Sequence, residues 1–436
     1  MPRFWGTRKD KYRIIMDTPR IERAILVGIS PAGADHNQAQ YQWLEFSELA
    51  RTAGAEVVGS ITQERKSPDP AFFIGSGKVQ WLAEEARRLE ADLIITLQEL
   101  SPSQVRNMEE QTGVRVIDRT NLILDIFASR ARTREGKLQV ELAQLDYLLP
   151  RLGGSTRHLS RLGGGIGTRG PGESKLEADR RRVRRRIAEL RRQLLEVQNQ
   201  RKVQRHRREK QQIPTVALIG YTNAGKSTLF NLLTAADVSA ADRLFETLDP
   251  VSRRVRPPSG KEFILMDTVG FISNLPHQLV AAFKATLEET TRATLLLHVM
   301  DGTAPNLAVQ AEAVRTVLDE IGIATKERLN LLNKIDLIDT DPTIERMAKE
   351  WEALPISART GAGMEELLAV IFGKLADTTA IYRVKIPFGE AGLVDRIHRQ
   401  GRVLEEVFTP EGVCLRVETE PALADKYHQY FFREGS

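Results

Sequence analysis

Gly220-Tyr-Thr-Asn-Ala-Gly225-Lys226-Ser227 is the stretch that most limits the folds open to this chain. An apolar run, Thr215 to Gly220, leads into it, and a helical pattern, Ser227 to Leu233, leads out. Two glycines bracketing a loop between strand and helix let successive backbone N–H groups turn towards an anion. The helix N-terminus adds its dipole. Lys226 then reaches the β and γ phosphates as a point charge, and the Ser227 hydroxyl becomes a ligand for Mg²⁺. A strand, a phosphate loop and a helix in that order predict an α/β domain.

Three more motifs follow in a fixed order. Asp267-Thr-Val-Gly270 begins 41 residues after Lys226, at the end of an apolar run. Asp267 is expected to hold Mg²⁺ through water, and the Gly270 N–H to meet a γ-phosphate. Asn333-Lys334-Ile-Asp336 follows the apolar run Leu329 to Leu332. A carboxylate there can accept from guanine N1–H and N2–H₂, which adenine cannot offer, so Asp336 predicts guanine selection. Ser357-Ala358 is expected to set a backbone N–H on the guanine oxygen. Thr247, in Phe245-Glu-Thr-Leu-Asp-Pro250, is the candidate to close over Mg²⁺ and the γ-phosphate, with Thr222, Thr234 and Ser239 as alternatives.

The expected GTP or GDP site therefore takes in Gly220, Tyr221, Thr222, Asn223, Ala224, Gly225, Lys226, Ser227 and Thr228. Asp267, Gly270, Asn333, Lys334, Asp336, Ser357 and Ala358 complete it. Lys226, Thr247 and Gly270 carry the catalytic roles, and Ser227, Thr247 and Asp267 the metal. Asn223 is a candidate K⁺ ligand, or else a hydrogen-bonding residue that ties the loop down. Phe271 follows Gly270 where Ras-type enzymes keep, near this place, a glutamine that orients the attacking water. A phenyl ring cannot do so, which predicts slow intrinsic hydrolysis and a stimulating partner. Gly75-Ser-Gly77-Lys78 imitates a phosphate loop, but Phe72 stands where the first glycine belongs and Val79 follows the lysine. It reads as a turn opening a helix.

A chain of 436 residues suggests about three domains. Residues 1–20 form a charged tail with no apolar segment, so no secretory signal is expected. No apolar run is long enough to span a membrane. Cys414 is the sole cysteine, which excludes an internal disulfide and suits the reducing cytoplasm. Alternating strand and helix patterns over 21–134 predict an N-terminal α/β domain with a mainly parallel sheet. The G domain is assigned to 213–375 and a small α+β domain to 380–436, with a helical pattern around Gly392 to Glu405.

Between these lies a basic unit, 135–212. Leu138, Leu142, Leu145 and Leu149 recur at spacings of 4, 3 and 4, as do Val183, Ile187, Leu190, Leu194 and Val197 at 4, 3, 4 and 3. Two such seams predict an antiparallel helical hairpin. Residues 175–210 hold 15 Lys or Arg against 5 Asp or Glu, a local charge of +10 in a chain whose total is +5. So concentrated a charge predicts a polyanionic partner. The connecting segment, 151–172, is rich in glycine and carries Arg157, Arg161 and Arg169 but no acid. Glycine permits close approach and arginine pairs with phosphate, so these three arginines are the candidate RNA contacts.

In these motifs the chain resembles the HflX family of GTPases, in the Obg–HflX group. Gly164-Gly-Ile-Gly-Thr-Arg-Gly-Pro-Gly-Glu173, with Leu176-Glu177 following, is the most specific part of the match. The phosphate loop and Thr247-Leu-Asp-Pro match as well; Ser174 departs mildly from the family's threonine. The resemblance implies binding to the large ribosomal subunit, hydrolysis stimulated there, and splitting of stalled or idle 70S ribosomes by a factor expected to be a free monomer. It also implies ATP hydrolysis by the N-terminal region, for which this sequence has no strong motif. A large-subunit assembly GTPase and a switch acting on a protein partner are the alternative readings.

Overall fold

The computed structural model describes the chain apart from residues 1–20, 32, 34–35, 154–170, 210–212, 235–243, 257–261, 274–289, 339, 378–379, 420 and 434–436. Arg157, Arg161 and Arg169 therefore lie outside the described residues, as does Ser239.

The N-terminal unit runs β1 (Arg23–Ser30), α1 (His36–Thr52), β2 (Glu56–Glu64), α2 (Ser76–Arg88), β3 (Leu93–Thr96), α3 (Pro102–Thr112), β4 (Arg115–Asp118) and α4 (Arg119–Arg130). Its four strands are all parallel, in the order β2-β1-β3-β4. Buried on both faces, β1 and β3 are almost wholly apolar, as a parallel sheet covered by helices requires. Gly75 caps α2, so Gly75-Ser-Gly77-Lys78 opens a helix, and Lys78 lies over the Trp81 ring.

Two further helices, α5 (Arg134–Leu148) and α6 (Pro171–Glu209), pack together along the expected seams. Leu138, Leu142 and Leu145 meet Leu190, Leu194 and Val197. Arg186 pairs with Glu141 at 2.8 Å and Arg191 with Asp146 at 3.5 Å across the two helices. Arg151, just past α5, lies over the Tyr147 ring and reaches the buried Asp118 at the end of β4. That contact anchors the helical pair to the carboxyl edge of the N-terminal sheet.

The next sheet has six strands in the order β10-β9-β8-β5-β7-β6. They are β5 (Thr215–Gly220), β6 (Val251–Val255), β7 (Phe263–Asp267), β8 (Leu295–Asp301), β9 (Arg328–Asn333) and β10 (Ala353–Pro355). All are parallel except β6, which runs against β7. Helices α7 (Lys226–Thr234), α8 (Leu307–Glu320) and α9 (Asp341–Glu350) lie between them, and α10 (Met364–Asp377) follows β10. The side bearing α8 shares one continuous core with the N-terminal unit. Phe46, Phe127, Val140 and Tyr147 belong to it together with Ile219, Phe245, Leu248 and Phe271. The two units are thus joined by apolar burial rather than tethered.

The C-terminal unit is an antiparallel sheet, β12-β13-β11-β14, from β11 (Ala380–Ile386), β12 (Arg402–Thr409), β13 (Gly412–Thr419) and β14 (Phe431–Arg433). Helix α11 (Ala391–Gln400) covers one face, and a short α12 (Pro421–Lys426) precedes β14. The expected helix around 392–405 therefore stops at Gln400. Val403, Val407 and Phe408 are good strand formers, and pairing with β13 claims them. Cys414 is half-buried in β13. Among the described residues, no helix is long and apolar enough to cross a membrane.

Candidate active site

The phosphate loop bends between β5 and α7, and its open side is a cleft. Thr222, Asn223, Gly225, Lys226, Ser227, Thr228, Phe245, Glu246, Thr247, Thr268 and Gly270 line it. Asn223 adopts a left-handed φ of 62°, and Gly225 one of 94°. These turns aim the loop inward, which a β-branched residue would resist. Gly220, Tyr221 and Ala224 belong to the loop but do not face the cleft. Tyr221 points the other way. Its hydroxyl meets the Glu45 carboxylate of α1, and the Ser273 N–H donates to it at 2.7 Å. Arg119 bonds the other Glu45 oxygen at 2.7 Å. Burial raises the Glu45 carboxyl above its ordinary range, with Arg119 and Tyr221 opposing.

Lys226 is buried, and its ammonium donates to the Gly220 and Tyr221 carbonyls at 3.1 and 2.7 Å. Burial pulls it down to about 8, with the Asp267 carboxylate opposing. A phosphate beside it would favour the charged form again. Above pH 8 the free site is then largely neutral at Lys226 while the nucleotide-bound site is charged, so binding takes up a proton and affinity falls as pH rises. Titration calorimetry with GDP at about pH 8.5, in buffers of different ionisation enthalpy, should report uptake of roughly half a proton or more. No uptake at that pH would mean that Lys226 is already charged in the free protein.

Ser227 Oγ, Thr247 Oγ1 and Asp267 Oδ2 stand 2.8 Å from one another. The fully buried Asp267 ends β7, and burial raises its carboxyl despite Lys226 and the two hydroxyls. Among the described residues, its Oδ1 and the Thr222 hydroxyl are buried without a hydrogen-bond partner. P-loop GTPases in general use Mg²⁺, and this donor set fits that ion. The oxygens are hard, and neighbouring ligands in an octahedron with bonds of about 2.1 Å lie about 3 Å apart. Ser227 and Thr247 are the residues that would hold it, with Asp267 behind them. When bound, the ion neutralises phosphate charge as it is transferred.

The guanine motif abuts the loop. Asn333 is buried, and its amide donates to the Ala224 carbonyl at 2.8 Å. The Ala358 N–H donates to Asn333 Oδ1 at 2.9 Å. To meet a guanine oxygen, the Ala358 N–H would have to leave Asn333. Asp336 is exposed, and the buried Ser357 hydroxyl donates to its Oδ1 at 2.6 Å. Lys334, at a φ of 65°, bonds Asp301 at 2.8 Å. Asn333 thus ties the loops together, and Asp336 is the group left facing outward.

Three family models match in sequence order. They are a GTP-binding GTPase N-terminal region over 40–128, a GTP-binding GTPase middle region over 130–208, and a 50S ribosome-binding GTPase domain over 215–349. GTPase HflX of Caldanaerobacter subterraneus subsp. tengcongensis is 47% identical over 409 residues, 94% of each chain. That of Escherichia coli K12 is 47% identical over 398 residues, covering 87% of this chain and 93% of its own. The chain belongs to the HflX family. Among solved structures, a GTP-binding protein from Sulfolobus solfataricus in complex with GDP is 27% identical. It covers 81% of this chain and 98% of its own, with a TM-score of 0.43.

As an HflX-family member the chain is a GTPase, and the geometry explains how its second switch is built. Phe271 is 2% exposed and lies in the shared core, not in the cleft. Its N–H donates to the Gly220 carbonyl at 3.1 Å and its carbonyl accepts from the Thr222 N–H at 2.7 Å. The residue in the glutamine's place is therefore a backbone strut that fixes the segment after Gly270 to the phosphate loop. Sequence reasoning missed Phe245, Glu246 and Thr268 on the cleft wall, and Glu45 behind Tyr221. A bulky Phe245 two residues before the candidate threonine was the one available signal.

Proposed function

We propose that this GTPase binds the large ribosomal subunit in its GTP form in the cytoplasm. There it splits stalled or idle 70S ribosomes, and ribosome-stimulated hydrolysis releases it. The observation that carries this reading is the outer face of α6. Arg181, Arg182, Arg184 and Arg185 are exposed, while Ile187, Leu190 and Leu194 are buried on the other side of the same helix. A basic ridge held rigid by an apolar seam suits RNA phosphates. The Gly/Arg segment with Arg157, Arg161 and Arg169 adjoins it in sequence, and the matching domain family is described as 50S ribosome-binding. The division into 21–134, 135–212, 213–375 and 380–436 belongs to this reading, as does K⁺ at Asn223.

Sedimentation of 70S ribosomes with the protein and a non-hydrolysable GTP analogue tests it. Conversion to free subunits is expected, with the protein on 50S in the analogue and not in GDP. Intact 70S with no bound protein would overturn the reading in favour of immature subunits or a protein partner as the target. Replacing Arg157, Arg161 and Arg169 together should weaken ribosome binding, with a salt slope about three units shallower, and leave GTP affinity unchanged. Ribosome-stimulated turnover that is the same in K⁺ and Na⁺ would remove the Asn223 cation.

A further inference from the structure

Thr247 can complete the oxygen triangle only if residues 244–250 lie down on the phosphate loop. Burial of Leu244 and Leu248 in the shared core holds part of the segment down, but it does not account for the backbone at Phe245. Phe245 has a φ of 56° and is 2% exposed. A bulky residue in the left-handed region is strained and persists only where its surroundings impose it. The imposing group is Phe127 of α4, whose ring meets that of Phe245 edge-on, with centroids 4.7 Å apart. Arg130, at the end of α4, lies 3.7 Å from Glu246.

The second hold lies two residues beyond Thr247. The Asp249 carboxylate accepts from the backbone N–H groups of Arg132 and Thr133, both at 2.8 Å, and from the Thr133 hydroxyl. Thr133 is also the N-cap of α5, its hydroxyl accepting from the Gly136 N–H at 3.0 Å. A carboxylate belongs at this end of a helix, where unpaired N–H groups and the helix dipole both favour it. The fit is specific. A Cβ at position 136 would stand 2.3 Å from Asp249 Oδ1, so only glycine admits the carboxylate there. Helix α5 in turn carries the seam that holds the basic α6.

We infer that Asp249 is a positioning residue for Thr247, and that the N-terminus of α5 is its seat. Closing the switch around a triphosphate and seating α5 are then one equilibrium. By thermodynamic reciprocity, whatever steadies the helical pair also raises the preference for GTP over GDP. The inference needs only the nucleotide site and is independent of any ribosome. Its mark is selectivity. The inference rests on the reading of Thr247 as the residue that closes over the γ-phosphate; on that reading loosening Asp249 should spare GDP.

The test is equilibrium binding of a fluorescent non-hydrolysable GTP analogue and of fluorescent GDP to the full chain. Asp249→Ala and Thr133→Ala should each lose roughly five- to tenfold for the analogue, the value of a lost cap, with GDP nearly unchanged. Thr133→Ser keeps the hydroxyl and should restore the analogue. The double variant Asp249→Ala/Thr133→Ala should lose less than the sum of the two single losses, since the bond between the Thr133 hydroxyl and the Asp249 carboxylate is absent in both. Gly136→Ala, which displaces the carboxylate from the opposite side, should reproduce the loss. Equal losses for both nucleotides, or no loss for either, would overturn the inference. So would a double variant whose losses simply add.

Discussion

Asp336→Asn is expected to weaken GTP binding by about 10³-fold and to admit xanthosine triphosphate in its place. A site built to pair a donor rejects the mismatched partner by about 10⁴-fold when fully buried; the exposure of Asp336 trims this to about 10³. The Ser357 hydroxyl holds one oxygen of the carboxylate, so it is oriented yet open. An asparagine keeps the shape and one acceptor but turns an N–H₂ towards the guanine amine, and two donors then face each other without water to share. Xanthine carries an oxygen where guanine carries that amine, so the mismatch reverses. Competition binding with the two triphosphates measures the swap. If the Asp336→Asn variant keeps GTP within tenfold of the parent, guanine is read elsewhere, with Asn333 the first residue to re-examine.

Much of this site can be read from the sequence because phosphate and guanine chemistry leave few choices. The loop Gly220 to Ser227 needs its glycines for backbone approach and Lys226 for charge, and β5 and α7 fall where those motifs require. The seams of α5 and α6 are equally plain, since a repeat of three and four residues has one packing outcome. Three things could not be read. Helix α4 buries Leu122, Ile123, Leu124, Ile126 and Phe127 round most of its circumference, so it shows no one-sided period. The strand Arg402–Thr409 continues an apolar pattern begun by a helix, and only pairing with β13 tells them apart. The contacts that seat the switches join residues distant in sequence, Asp249 with Thr133 and Tyr221 with Glu45. Ordinary residue types at unrelated positions carry no motif, so a long-range clamp stays invisible until the chain is folded. The Ala358 N–H is a further case, since its bond to Asn333, 25 residues away, is equally invisible in a dipeptide.

Gly270→Ala should lower the GTP hydrolysis rate by about 10²- to 10³-fold, the cost of removing one donor aimed at developing charge, while leaving GDP affinity nearly intact. A Cβ at this position would lie 2.8 Å from Thr222 Cγ2, 2.9 Å from Thr222 Cα and 3.1 Å from Lys226 Nζ. None of these can retreat cheaply. The Thr222 N–H is held by the Phe271 carbonyl, and Lys226 by two carbonyls of its own loop. The segment bearing residue 270 must therefore lift away, carrying its N–H from the place where a γ-phosphate would sit. GDP has no such group and loses nothing. Single-turnover hydrolysis beside GDP binding separates the two effects, and a thermal melt guards against a misfolded variant. The same geometry bears on stimulation. With Phe271 buried as a strut, no side chain at that position can orient water; in the proposed ribosome-stimulated cycle the partner would supply that group from outside the cleft. Alanine at 270 should accordingly remain slow even with the partner present, because what it removes is the chain's own contact with the phosphate. Full rescue by the partner would mean that the Gly270 N–H contributes nothing to the reaction.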